Sequence, residues 1–310
     1  MTTARRRAFG LLAAFAMGAV AGIALQRQVG MGRILRAAGL TTRAERARSP
    51  APAESRGIPE ELRGRLSVFA LAGQSNMSGY APMAPGQAPH PRAFLFGNDY
   101  RWRPALEPTD DATGQVDRVS LDRGTGTSPG LAFAEALLAA RPELAVGLVP
   151  CAKGDSTIAE WRRDLGDDTL YGSCLKRMGA AAPMGGVAGI LFFQGESDAF
   201  DPELAKRALS AADYAARFAR LVHDLRNDLG RPRLPVIFAQ IGGTTMPERY
   251  VNWRLVQEQQ ASVHLPCVAM ITTADLALRD NVHFTAESYR EIGGRFARAY
   301  LELTAEQGCE

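Results

Sequence analysis

The chain has 310 residues, 46% of them hydrophobic, which is enough to bury one large core and by length makes one to two domains. Its formal charge of +3 is small, and the arginines gather at the N-terminus rather than along an aromatic-interleaved strip, so no nucleic-acid footprint is expected. The four cysteines (Cys151, Cys174, Cys267 and Cys309) form no C-x-x-C pair and have no histidine at zinc-site spacing, so no metal site is expected. Cys151 and Cys174 read as two unpaired, partly buried thiols, with a disulfide between them as the alternative in an exported domain.

In chain order, Arg5, Arg6 and Arg7 precede an apolar run from Ala8 to Leu25, the order of charge and hydrophobe with which a signal peptide or membrane anchor begins. Arg6-Arg7-Ala8-Phe9 resembles a twin-arginine export signal, and Gly22-Ile23-Ala24 offers a small-x-small cleavage site. Against cleavage, Arg27, Arg33 and Arg36 follow the run closely, which favours keeping that flank in the cytoplasm. Residues 1–26 are therefore an address or an anchor, and the expected location is exported or membrane-anchored, in a bacterial envelope or secreted. Residues 27–64 read as a flexible tether: from about Arg43 to Arg63 the composition turns to Arg, Ala, Pro, Glu and Ser without apolar periodicity. The folded domain is expected over 65–310.

Within it, Leu66–Ala72, Ala93–Phe96, Ala145–Pro150, Val187–Phe193, Val236–Ile241 and Val268–Ile271 are short apolar runs that read as strands. Helical spacing marks Gly130–Ala140, Pro202–Leu229, Glu248–Val263 and Thr285–Leu303, the last with Thr285 as its N-cap. Such alternation predicts a three-layer α/β/α sandwich with a mostly parallel central sheet. Active sites of open α/β sheets gather at the carboxyl ends of the strands, so the residues just after each run are the ones to weigh.

The first run ends in Ala72-Gly73-Gln74-Ser75-Asn76-Met77, which puts Ser75 at that edge; alone, such a serine more often serves a turn or cap. Near the other end, Asp280-Asn281-Val282-His283 sets a carboxylate three residues from an imidazole, just before the last helix. A serine hydroxyl becomes a useful nucleophile when an imidazole takes its proton, and a carboxylate holds that imidazole in the right tautomer. The other histidines, His90, His223 and His264, lie in a proline-flanked loop, a charged helical pattern and a helix end. Two further strand ends carry polar groups: Lys153-Gly154-Asp155-Ser156, where a glycine lets the backbone approach a ligand, and Gln194-Gly195-Glu196-Ser197-Asp198. The amides of Ser75 and Gly154 with the Gln194 side chain are candidate donors to an oxyanion.

These four blocks, Gly73–Met77, Gly154 with Ile158–Trp161, Gln194–Asp198 and Asp280–Phe284, in this order over about Leu66–Tyr300, resemble the sialate O-acetylesterase and acetylxylan esterase group, carbohydrate esterase family 6 of the SGNH hydrolases. The resemblance implies a flavodoxin-like SGNH fold and a serine esterase that removes acetyl groups from carbohydrate hydroxyls. It implies Ser75 as nucleophile, His283 as base and acid, Asp280 as the orienting carboxylate, an oxyanion hole of Ser75, Gly154 and Gln194, and no metal or organic cofactor. The chain departs from it at Asp155, where the family commonly has a second glycine; a carboxylate there either disfavours an adjacent oxyanion or contacts the sugar. Glu196 is expected to support the site by hydrogen bonding, and Trp161, with Arg162 and Arg163, to line a sugar subsite by stacking or else to pack. The expected partner is an acetylated carbohydrate, with membrane attachment only through the N-terminal segment. Two other readings stand beside this one: a lipase- or thioesterase-like member of the same fold, and an inactive carbohydrate-binding envelope protein. The long polar loop from Tyr80 to Pro129 suits a polar substrate better than an acyl chain.

Overall fold

The computed structural model describes residues 57–205, 209–306 and 308–309. The expected signal or anchor over 1–26 and the tether up to residue 56 lie outside the described residues. Ile58 and Leu62, in the stretch that composition assigns to the tether, are buried against the core, so the packed chain begins before the first strand.

Seven strands form one sheet: β1 (Leu66–Gly73), β2 (Ala93–Phe96), β3 (Trp102–Pro104), β4 (Val146–Pro150), β5 (Gly185–Phe193), β6 (Val236–Ala239) and β7 (Val268–Ile271). Their order is β3-β2-β4-β1-β5-β6-β7, with only β3 antiparallel, at one edge. The helices are α1 (Ser75–Ser78), α2 (Pro129–Ala140), α3 (Leu170–Ala181), α4 (Pro202–Ala205), α5 (Tyr214–Asp228), α6 (Trp253–Ala261) and α7 (Ala286–Glu306). The molecule is the expected α/β sandwich: a mixed, mostly parallel sheet flanked by helices on both faces.

The central strand β1 shows why, because it is buried along nearly its whole length, and period-2 alternation sends its side chains to opposite faces. Val68, Ala70 and Ala72 join the cluster under α3, α5 and α6, while Phe69 and Leu71 join the cluster under α2 and α7. After β1 the chain fills one side, going first to β2 and the edge strand β3 and returning to β4 beside β1, then crosses to β5 and builds the other side outward through β6 and β7. The carboxyl end of β1 is therefore the topological switch point, where crevices form in such sheets.

The cysteines correct the expectation of free thiols: Cys151 is bonded to Cys174 and Cys267 to Cys309. Burial suits a thiol and a disulfide alike, so the sequence signal did not discriminate between them. The first bond ties the end of β4 to α3, and the second ties the C-terminal tail to the residue before β7. Among the described residues no helix is long and apolar enough to cross a membrane.

Candidate active site

The switch point is built by close backbone approach. Gly73 ends β1 at φ 130°, and a Cβ there would lie 2.1 Å from the Phe193 carbonyl oxygen, so only glycine lets β1 and β5 end side by side. The chain turns at Gln74 into the single turn α1, whose first residue is Ser75, only 7% exposed.

Opposite it, residues 278–284 form a tight turn closed by a bridge between Leu278 and Phe284. Val282 and Phe284 are buried and pin the turn to the core, leaving His283 between them to face Ser75. His283 Nε2 lies 2.9 Å from Ser75 Oγ, and Nδ1 lies 2.9 and 3.0 Å from the two Asp280 oxygens. Asp280 Oδ1 also accepts the backbone N–H groups of Val282 (3.1 Å) and His283 (2.9 Å). Burial works against the Asp280 charge, but the hydrogen bond and charge of His283 with these two N–H groups outweigh it, holding the carboxyl at about 2. Ser75, His283 and Asp280 are thus brought together in the order that proton transfer from a serine hydroxyl requires.

Asn76, which the sequence reading left without a role, joins the pieces. Its side-chain N–H groups donate to Glu196 Oε1 and, at 3.0 Å, to the Val282 carbonyl, and its oxygen accepts from the Tyr289 hydroxyl at 2.7 Å. Glu196 therefore sits behind the site on Asn76, not on His283. It is buried, and burial raises its carboxyl above the usual range despite the bond from Asn76. The signal for Asn76 was present in its place beside Ser75, but only the fold shows what it reaches.

The three expected oxyanion donors fare differently. The Ser75 N–H meets no backbone acceptor among the described residues. The Gly154 N–H donates to Asp122 Oδ2 at 2.8 Å. Gln194 is corrected: it is fully buried, and its amide nitrogen is engaged by Gln74 Oε1 (3.2 Å), the Ser156 carbonyl (3.0 Å) and Asp198 Oδ2 (2.8 Å). Two N–H groups facing three acceptors have none left for an oxyanion, and turning the amide over would set its oxygen against the same acceptors. Gln194 instead ties the ends of β1, β4 and β5 together. Gln74 Oε1 is likewise fixed by Gln194, Gly195 N–H (3.3 Å) and Ser197 N–H (3.2 Å), so its own amide N–H groups point away from that cradle.

Of the two readings of Trp161, the structure shows the packed one. It is 1% exposed, donates from Nε1 to Ser156 Oγ at 3.3 Å and packs edge-on against Phe192, so its ring has no face for a sugar. Its apolar bulk is used in the core, and Arg163 pairs with Asp228 through two bonds of 2.8 and 2.9 Å. Asp155 is exposed at φ 64°, beside Gly154.

The loop before α2 completes the rim. Tyr80 stacks on His283 with ring centroids 5.0 Å apart and planes 21° from parallel. Its hydroxyl donates to Asp122 Oδ1, and its carbonyl accepts from Arg279. Neither Tyr80 nor Asp122 stood out in sequence, because a long loop rich in Pro, Gly and Asp carries no periodic signal.

Comparison with known proteins gives this geometry a context. Residues 65–302 match the family model described as carbohydrate esterase, sialic acid-specific acetylesterase. A probable carbohydrate esterase of Arabidopsis thaliana is 33% identical over 257 residues, covering 76% of this chain and 90% of the relative. A crystal structure from Arabidopsis thaliana superposes with a TM-score of 0.63 at 32% identity, over 77% of this chain and 98% of that one. A carbohydrate acetylesterase from Xanthomonas citri shares the fold at a TM-score of 0.59 and 21% identity, over 77% of this chain and 57% of its own.

Proposed function

The chain belongs to the carbohydrate esterase, sialic acid-specific acetylesterase family and is a carbohydrate-active ester hydrolase; on that premise we propose that it removes acetyl groups from carbohydrate hydroxyls through an acyl-enzyme on Ser75. The observation that carries the proposal is the continuous chain of contacts from Ser75 Oγ through His283 to Asp280. In this reading His283 takes the Ser75 proton as Oγ attacks the acetyl carbon, and Asp280 stabilises the imidazolium. His283 then gives the proton to the departing sugar hydroxyl, and a water activated by the same imidazole releases acetate.

The oxyanion of each tetrahedral intermediate needs donors at the switch point. The Ser75 N–H is ready for it, and the Gly154 N–H becomes so when it leaves Asp122. The Gln74 amide, on the residue next to Ser75, takes the place that sequence gave to Gln194.

Two disulfides support a life in an oxidising compartment, in keeping with export directed by the N-terminal segment. The test of the reaction is acetate release by the full chain from acetylated xylan, O-acetyl sialic acid and an aryl acetate. Ser75→Ala is expected to lower release at least about a thousandfold with an unchanged circular dichroism spectrum, since the nucleophile is removed. Release that survives in the folded variant would remove Ser75 from the mechanism.

A further inference from the structure

The Asp122 carboxylate occupies a donor that the reaction needs. Its Oδ2 is 2.8 Å from the Gly154 nitrogen, and a Cβ added to Gly154 would lie 2.6 Å from the same oxygen, so the carboxylate lies directly against that backbone. Asp122 Oδ1 is held by the Tyr80 hydroxyl and, at 3.1 Å, by the Arg123 N–H. Tyr80 in turn lies flat on His283. A fixed negative charge thus sits between the oxyanion loop and the imidazole. One N–H cannot serve a carboxylate and an oxyanion together, and two anions at such spacing repel.

We infer that Asp122 is a specificity residue that the substrate itself displaces: a free hydroxyl neighbouring the acetylated one on the sugar donates to the Asp122 carboxylate, draws it off Gly154, and so releases the Gly154 N–H to the oxyanion. The inference rests on the esterase reading above and adds to it a requirement for a neighbouring hydroxyl. A carboxylate that gives up one N–H must find another donor, and a sugar hydroxyl beside the ester supplies it. An ester lacking that hydroxyl leaves Asp122 in place and reacts with fewer oxyanion donors. Asp122 is 6% exposed, and Tyr80 keeps hold of Oδ1 throughout, so the displaced carboxylate swings about this anchor beneath the rim and stays next to His283.

The experiment compares the wild-type full chain with Asp122→Ala on three substrates: partly acetylated xylan with free vicinal hydroxyls, fully acetylated xylan with none, and an aryl acetate. Removing the carboxylate is expected to raise kcat/KM on the last two by about tenfold, because the Gly154 N–H is freed, and to lower it on partly acetylated xylan by about tenfold, because a charged hydrogen bond to substrate is lost. A change in the same direction on all three substrates, or no change, overturns the inference. Should Asp122→Ala fail to fold, Asp122→Asn keeps the size, and the same crossing of preferences is expected to smaller extent. Ser75→Ala assayed beside them separates the two levels. Hydrolysis independent of Ser75 sinks the esterase reading, whereas Ser75-dependent hydrolysis without the crossing sinks only the role of Asp122.

Discussion

Asp280 and Glu196 both lie close to the His283 turn, but they are held differently, and that difference decides what each does. Asp280 touches the imidazole directly and is kept ionised, with its carboxyl near 2. Its titration therefore adds nothing to an acid limb of the rate profile above about pH 3. Because its folded value is depressed, its contribution to stability is present above the ordinary carboxylate range and is lost only as pH falls through about 2. Asp280→Asn is expected to lower kcat by about a thousandfold or more, since an amide lets the imidazole take the wrong tautomer. Glu196→Gln is expected to cost less than about tenfold, because a glutamine oxygen still accepts from Asn76. Steady-state rates of the two variants check this, and the opposite ranking would transfer the orienting role to Glu196. At this scale the sequence was most legible where chemistry needs rare residue types at short spacing, as in Asp280 and His283. It misled, or left the choice open, where a side chain's use depends on neighbours distant in the chain: Gln194 and Trp161 sit beside the right strands yet face inward.

Elements were legible where burial leaves a periodic trace and illegible where it does not. The expected strands and α2, α5, α6 and α7 are present, although the run 202–229 is broken into α4 and α5, and α6 starts only at Trp253, after turns that bond back to Ala199 and Asp201. α3 was missed because Gly172 and Gly179 dilute its pattern and because it buries an arginine: Arg177, 1% exposed, reaches Asp117, Asn98, Ser120 and the Pro150 carbonyl. β3 has three half-buried residues at the sheet edge, too few for alternation to show. The segment between β3 and α2, which carries Asp122, is fastened at both ends by a single buried carboxylate. Glu107 accepts from the N–H and hydroxyl of Ser128, the N-cap of α2, and from the Thr109 N–H, each at 3.0 Å. Burial pushes its carboxyl up to about 7 against these bonds. The folded form thus holds a proton that the unfolded chain releases near the ordinary glutamate range. This contribution to stability is complete below about pH 4.3 and lost as pH rises through about 7. The melting temperature of the wild type is expected to fall relative to that of Glu107→Gln as pH rises from about 5 to 7, because the glutamine does not titrate. A difference that stays constant over this range would mean that Glu107 is ionised throughout and works as a charged clamp.

Over the whole molecule, the parallel sheet separates stability from chemistry along its own axis, and the two disulfides fall at opposite ends of it. Catalytic side chains emerge at the carboxyl ends of the strands. Cys267 immediately precedes β7, at the amino end, and its bond to Cys309 holds the C-terminal tail after α7 against the far edge from Ser75. Cys151 immediately follows β4, three residues before Gly154, and its bond to Cys174 fixes the Gly154 loop, the proposed oxyanion donor, to α3. Both bonds restrict the unfolded chain, closing separations of 42 and 23 residues, and each is expected to contribute about 2–4 kcal/mol. For a domain of this size that corresponds to a melting temperature lower by roughly 5–15 °C when either is removed. Activity should distinguish them. Cys267→Ser with Cys309→Ser is expected to leave kcat within about twofold of wild type well below the transition. Cys151→Ser with Cys174→Ser is expected to lower kcat as well, because small displacements of a donor loop cost rate steeply. Melting curves and rates for the two double variants are the measurement. Equal loss of kcat in both would mean that the ends of the sheet are mechanically coupled, and equal preservation would mean that the Gly154 loop is held by its hydrogen bonds to β1 and Asp122 without help from the covalent bond.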